Sequence, residues 1–410
     1  MDFSVIWGFL LAIFILLGMI TIHEFGHYIT GKLLGFNIKE FSIGFGPALF
    51  KRKSKKSGEQ FSLRLIPLGG YCAFAGEDGE DITDKKENEP TMSEVSDVFP
   101  DMKETGEDKD TPANVAEKIA ESGNFTDMPP WKRIVVLVSG ALMNYLLALI
   151  CIFCSFGFCG EALYGVVEAE RADEIAAEYC LRDGDVFFEA ENKSIYTVTD
   201  LMSAVKGKKE GDTVTLLVSR ITEGTLQGEH KREKMEVQVR LRCATNFENS
   251  TDTDRLWQAL GVAKKSNGDG TVTYRVGGFL YRWGFFETIG RGTVYSIRLA
   301  GSIFGVLGEL LTGSLGVDSM GGPVTTITMT SQIAGMGVRE FLGIASYIGV
   351  NLAVFNLLPI PALDGSKIVF TAIEWVRGKP INRKVEAVIH TVGMLLLLAF
   401  AIFVDILQLI

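Results

Sequence analysis

The chain has 410 residues, and its 40 basic against 50 acidic side chains leave a formal charge of -10, which offers no general attraction to nucleic-acid phosphates and excludes a nucleic-acid reader. Hydrophobic residues make up 47% and charged residues 22%, with 27 Phe and a mean hydropathy of +0.22, so the chain is not disordered and its apolar character is gathered in local runs. Six cysteines are too few and too scattered for a fold built on disulfides.

The first such run, Phe3 to Ile22, carries no charge over 20 residues, enough for a helix to cross a hydrocarbon core. Asp2 and the lack of a basic start argue against a cleaved signal peptide. The run leads into His23-Glu24-Phe25-Gly26-His27. On a helix, positions i and i+4 share a face, so both imidazoles can hold one Zn²⁺ while Glu24 reaches a bound water as general base. The alternative is that these polar residues only mark the end of a span. The apolar pattern continues through Leu34, however, and ionisable groups within a span are functional by default.

Phe41 to Phe50 contains Gly44, Gly46 and Pro47, Phe61 to Leu65 alternates, and Leu68-Gly69-Gly70-Tyr71 follows Pro67. Over 37–76 this reads as a membrane-dipping β-hairpin offering a strand edge, or as a re-entrant loop plugging a bundle. From Glu77 to Asp127 there are 17 acidic and 5 basic residues, an acidic cytoplasmic linker over 77–130. A second span, Ile134 to Phe158, contains Cys151 and Cys154, with Cys159 just beyond it, which read as packing residues rather than a metal cluster.

Beyond Gly160, Tyr164 to Ala169, Thr213 to Ser219 and Val237 to Leu241 alternate as strands, and Thr199 to Lys206 looks helical. With the turn at Asp183-Gly184-Asp185-Val186, this outlines one small α+β module over 161–245 that resembles a PDZ domain. Its Tyr164-Gly165-Val166-Val167 departs from the usual carboxylate loop, leaving peptide binding and a steric size filter both open. Cys180 and Cys243 could pair there if their Cα atoms approach within about 7 Å. The stretch 246–340 reads as an extracytoplasmic and interfacial helical region, with Trp283, Phe285, Phe286 and Ile289 at helical spacing.

A third uncharged run, Phe341 to Leu363, lies in a segment 341–366 and ends in Asn356-Leu-Leu-Pro359-Ile-Pro361-Ala-Leu-Asp364-Gly365. Two prolines break the backbone at membrane depth, which must then be protein-buried or line a cavity. Asp364 either caps the next helix or supplies the third ligand that a catalytic zinc needs. A cytoplasmic loop over 367–386 and a fourth span in 387–410 complete the chain, with His230 and His390 outside the site. Lys and Arg flank the first and last loops, which places both in the cytoplasm and both termini outside.

Together these motifs resemble the site-2 protease family of intramembrane zinc metalloproteases, and more closely the bacterial regulator-of-sigma-E (RIP) proteases, over nearly the whole chain, including Gly140-x-x-x-Asn144 and Gly321-Gly322-Pro323-Val324. The resemblance implies a polytopic α-helical membrane protein with about four transmembrane helices, a membrane-associated β-hairpin and one extracytoplasmic α+β PDZ-like domain. It implies Zn²⁺ held by His23, His27 and Asp364, Glu24 as catalytic base, and Asn356, Pro359 and Pro361 facing substrate with Leu68, Gly69 and Gly70 of the hairpin. Gly140 and Asn144 would pack near the site. The implied substrate is a single-span membrane protein, such as an anti-sigma factor or signal-peptide remnant, first cut by an upstream site-1 protease. The implied location is the bacterial plasma (inner) membrane, multi-pass, with the active site towards the cytoplasm. Three features depart from the family pattern: room for one PDZ-like module rather than two, Ser366 and Lys367 after Leu-Asp-Gly, and a long acidic insert. The competing class is a catalytically silent zinc-binding scaffold or chaperone, against which an intact Glu24 argues.

Overall fold

A computed structural model describes residues 3–54, 58–77, 123–170, 175–224, 226, 230–247, 249, 252–266, 272–316 and 321–409. The acidic linker expected over 77–130 falls mostly outside these residues.

Each long uncharged run forms a helix, the conformation that satisfies every backbone group from within one segment. These are α1 (Phe3–Leu34), α2 (Pro130–Cys154), which passes into a π-helical turn Ser155–Cys159, α7 (Val338–Leu357) and α9 (Arg383–Leu409). A fifth helix, α5 (Phe285–Thr312), stands where an interfacial helix is expected, so among the described residues five helices are long and apolar enough to cross a membrane where four are expected. The third run stops as a helix at Leu357, before Pro359, and does not reach 366. The stretch 367–386 is not simply a loop: α8 (Asp364–Arg377) occupies its first half and ends at the left-handed Gly378. The signal was a helix N-terminus at Leu363-Asp364 rather than a hydrophobic run.

The described residues fall into two compact units. One comprises those within Met1–Leu147, Gly322–Ser331 and Leu352–Ile406. In it, strands β1 (Ile38–Lys53) and β2 (Gln60–Phe74) form a hairpin that folds over on itself, so that Ile43 partners both Gly70 and Leu63, while Phe50 partners Leu63 again. Gly44 and Gly46, at φ +87° and +82°, permit the bend between the two registers. Phe45, Leu49, Phe50, Leu63, Leu65 and Ile66 on this hairpin are exposed, as lipid-facing residues would be. Its base packs through the rings of Phe36, Phe74 and Phe125, with centroids 5.5–5.6 Å apart.

The other unit comprises residues within Ala148–Gly321, Gln332–Asn351 and Leu407–Ile410. Its sheet has the order β10-β3-β4-β6-β7, from β3 (Glu161–Val166), β4 (Val186–Ala190), β6 (Thr213–Gly224), β7 (His230–Arg240) and β10 (Val276–Tyr281), with the short β5 (Lys193–Ser194) on β4. Helices α3 (Val198–Val205) and α4 (Thr253–Leu260) contribute Leu201, Val205, Leu256 and Leu260 to a fully buried core with Phe187 and Leu216. Thr197 and Asp200 form a capping box that starts α3. The expectation that 246–340 is helical is corrected: β8 (Lys264–Ser266), β9 (Val272–Tyr274) and β10 lie there, and β10 pairs with β3 from Val276↔Val166 to Tyr281↔Glu161. A partner so distant in sequence leaves no local trace, and Gly277-Gly278 hides the alternation. All six cysteines are free, Cys180 and Cys243 included.

Candidate metal centre

The site lies in the first unit. One helical turn of α1 sets the His23 and His27 rings edge to face, with centroids 4.7 Å apart. Their Nε2 atoms are 3.2 Å from each other, and both point at one oxygen, Asp364 Oδ2, at 3.0 and 3.2 Å. Asp364 reaches them from the first turn of α8, because the broken turn at Pro359 and Pro361 reverses the chain after α7. Gly365 allows the reversal: a Cβ there would collide with the Leu357 and Leu358 backbone.

This donor set fits Zn²⁺. Bonds of about 2.0–2.2 Å in tetrahedral array place ligand atoms about 3.3–3.5 Å apart, and the triangle of 3.0, 3.2 and 3.2 Å is close to one face of that figure. Both imidazoles can present a lone pair on Nε2. His27 Nδ1 is 2.8 Å from the Val136 carbonyl, which fixes its proton there. His23 Nδ1 lies 3.4 Å from the Asn144 amide and 3.3 Å from the Asn356 amide. A metal on His23 Nε2 requires the proton on Nδ1 and therefore an oxygen beside it. Asn144 Oδ1 is buried without a hydrogen-bond partner among the described residues, and rotation about Cβ–Cγ brings it to that proton.

The glycines decide how closely α2 can approach. A Cβ on Gly140 would overlap His27 Nε2 and come within 2.8 Å of His23 Cε1, and one on Gly26 would sit 2.5 Å from the Ser139 carbonyl. Helix α2 can therefore cross the two imidazoles only as glycine at 140.

Glu24 turns towards β2. A Cβ on Gly70 would be 3.2 Å from Glu24 Cγ. Gly69 adopts φ +137° against the Phe45 ring, and Leu68 belongs to the same strand. Of the expected site residues, the structure thus gathers His23, His27, Asp364, Asn144, Asn356 and Gly140 around one point, with Glu24 and Gly70 adjacent. Pro359 and Pro361 shape the turn; Pro361 packs against Gly393 of α9. Sequence reasoning missed the Val136 carbonyl, since any residue type supplies such a backbone group.

The model of peptidase family M50 matches residues 11–400. The chain is 28% identical to the zinc metalloprotease RasP of Bacillus licheniformis, over 94% of this chain and 94% of that one. It is also 28% identical to the regulator of sigma-W protease RasP of Bacillus subtilis, over 96% of each.

Proposed function

The chain belongs to peptidase family M50, and from that premise we propose that it cleaves a peptide bond in or near the transmembrane helix of single-span membrane proteins. The observation that carries this reading is the convergence of His23, His27 and Asp364 on one point, with Glu24 beside it, in a protein whose described residues include five helices long and apolar enough to span a membrane. The cofactor is Zn²⁺, in keeping with relatives named zinc metalloproteases. His23, His27 and Asp364 would hold the zinc, which would supply Lewis acidity for polarising a peptide carbonyl and acidifying water.

The chain's own groups do the rest. Glu24 takes the proton from the attacking water on its carboxylate and returns it to the leaving nitrogen. Asn356, 3.3 Å from His23, is close enough to orient the scissile strand or donate to the oxygen on which charge develops. A substrate helix hides its carbonyls in its own hydrogen bonds and must unwind to be cut. The strand containing Gly69 and Gly70, beside Glu24, offers the extended edge on which an unwound segment can pair.

In the topology that fits best, the loops rich in Lys and Arg are cytoplasmic, α5 lies at the interface and both termini are outside. Helix α5 carries Arg298 at its midpoint and Arg291 two turns before it, unlike the other four. The sheet domain, read as PDZ-like, acts on substrates either by pairing with a peptide or as a size filter, and an upstream protease acts first. A membrane-spanning anti-sigma factor suits this order of events, and the B. subtilis relative is named a regulator of sigma-W protease.

The test is cleavage of a single-span reporter by the wild type and Glu24→Gln, with zinc determined in both. The reading expects Glu24→Gln to keep zinc and lose cleavage, and a chelator to stop the wild type. Zinc in both with no cleavage of any pre-nicked substrate would favour the scaffold, and equal cleavage would remove Glu24 as the base.

A further inference from the structure

His390 is more than a polar residue at the start of a span. Asp364 is delivered by the turn between α7 and α8, held by N–H to carbonyl bonds from Leu358 to Phe355, Ile360 to Leu358 and Leu363 to Ile360. Within it Ala362 takes φ +78°. A residue with a Cβ occupies that left-handed region at a cost in free energy, and such a conformation persists only where its surroundings impose it.

Helix α9 supplies two constraints from adjacent turns. The Ala362 N–H donates to His390 Nδ1 at 3.1 Å. Three residues on, Gly393 lies so close to Pro361 that a Cβ there would overlap the proline ring. Because Nδ1 accepts, the neutral ring has its proton on Nε2, and that atom meets no acceptor among the described residues. Nδ1 alone therefore serves the turn. The ring is further set edge-on to Phe370 of α8, with centroids 5.7 Å apart, so it touches the elements on both sides of Asp364.

We propose that His390 is a positioning residue for the metal centre. It holds the Ala362 amide, and so the strained turn that sets Asp364 Oδ2 between His23 and His27. Losing this contact lets Ala362 relax towards negative φ and swings the carboxylate out of the triangle. The proposal rests on the reading of Asp364 as a zinc ligand.

The experiment uses the full chain in nanodiscs, as wild type, His390→Leu, His390→Asn and His390→Gln. An Asn amide oxygen can stand near the place of Nδ1, whereas Gln reaches the place of Nε2. Four quantities are read: amide hydrogen exchange across 358–364 in metal-stripped protein, the rate of zinc loss to a chelator, kcat and KM on the reporter, and the melting temperature. His390→Leu is expected to exchange faster at Ala362, release zinc roughly tenfold faster and lose kcat by a similar factor at unchanged KM. His390→Asn should restore all three and His390→Gln none, with melting temperatures alike. Wild-type exchange and zinc retention in His390→Leu would overturn the proposal, as would equal rescue by Asn and Gln or rescue by neither. If His390→Leu does not fold, the Asn and Gln pair still decides. A wild type that neither holds zinc nor cuts would defeat the functional reading, while exchange at Ala362 in the metal-free protein would still decide the role of His390.

Discussion

Gly140 of α2 lies directly against the His27 imidazole, where even a methyl group would overlap Nε2. Gly140→Ala should therefore displace a ligand rather than unfold the protein. Zinc content and cleavage are expected to fall together by at least tenfold, while the melting temperature of the metal-free protein changes little; metal analysis beside calorimetry checks this.

Asn144 is the polar side chain from α2 that meets His23 Nδ1. Replacing it with Leu leaves the Nδ1 proton without one of its two amide neighbours, so zinc affinity should drop by about 10- to 100-fold, the usual effect of losing a partner behind a metal-bound imidazole. Competition against a chelator of known affinity measures it, and an unchanged affinity would assign the orientation of His23 to Asn356 alone.

Arg133 and Glu374 join α2 to α8 through a 2.8 Å ion pair with side chains only 6% and 5% exposed, and Glu374 also accepts the Ile381 amide. Glu374→Ala leaves the buried Arg133 charge uncompensated and should destabilise by about 3–5 kcal/mol, whereas Arg133→Ala should cost less, because Arg383 still lies 3.6 Å from Glu374. Arg133→Met with Glu374→Leu should recover most of that loss. Thermal unfolding of the three variants tests whether the pair supplies stability or only avoids a penalty.

In the hairpin, Glu40 accepts from Arg64 at 2.9 Å and from Tyr71 at 2.8 Å. Partial burial pushes its carboxyl up, but hydrogen bonds from Ser62, Tyr71 and Arg64 outweigh this and hold it at about 2, below its ordinary 4.5. A depressed carboxylate contributes stability above its unfolded value and loses it as pH falls towards the folded one. Hairpin protection from proteolysis should thus decline between about pH 4.5 and 2 in the wild type, and Glu40→Gln should lack this decline.

His23-Glu24-x-x-His27 was legible because helical periodicity alone brings i and i+4 together, and the uncharged runs identified α1, α2, α7 and α9 because a bilayer admits few alternatives. Asp364 remained ambiguous from spacing, since Asp begins helices as readily as it binds metals, and here it does stand in the first turn of α8. Strand β10 was illegible because its partner β3 lies about a hundred residues earlier and two glycines interrupt its pattern.

What the sequence determined by itself was therefore local: two imidazoles on one helix face, the carboxylate between them and the long apolar runs. Only the tertiary structure decided that Asp364 meets Nε2 of both histidines, that Gly140 gives the rings room and that His390 grips the turn behind the carboxylate. These depend on atoms more than a hundred residues apart in the first two cases, and on one backbone amide in the third. Periodicity carries no information about such distances, because they are set by how helices and turns pack.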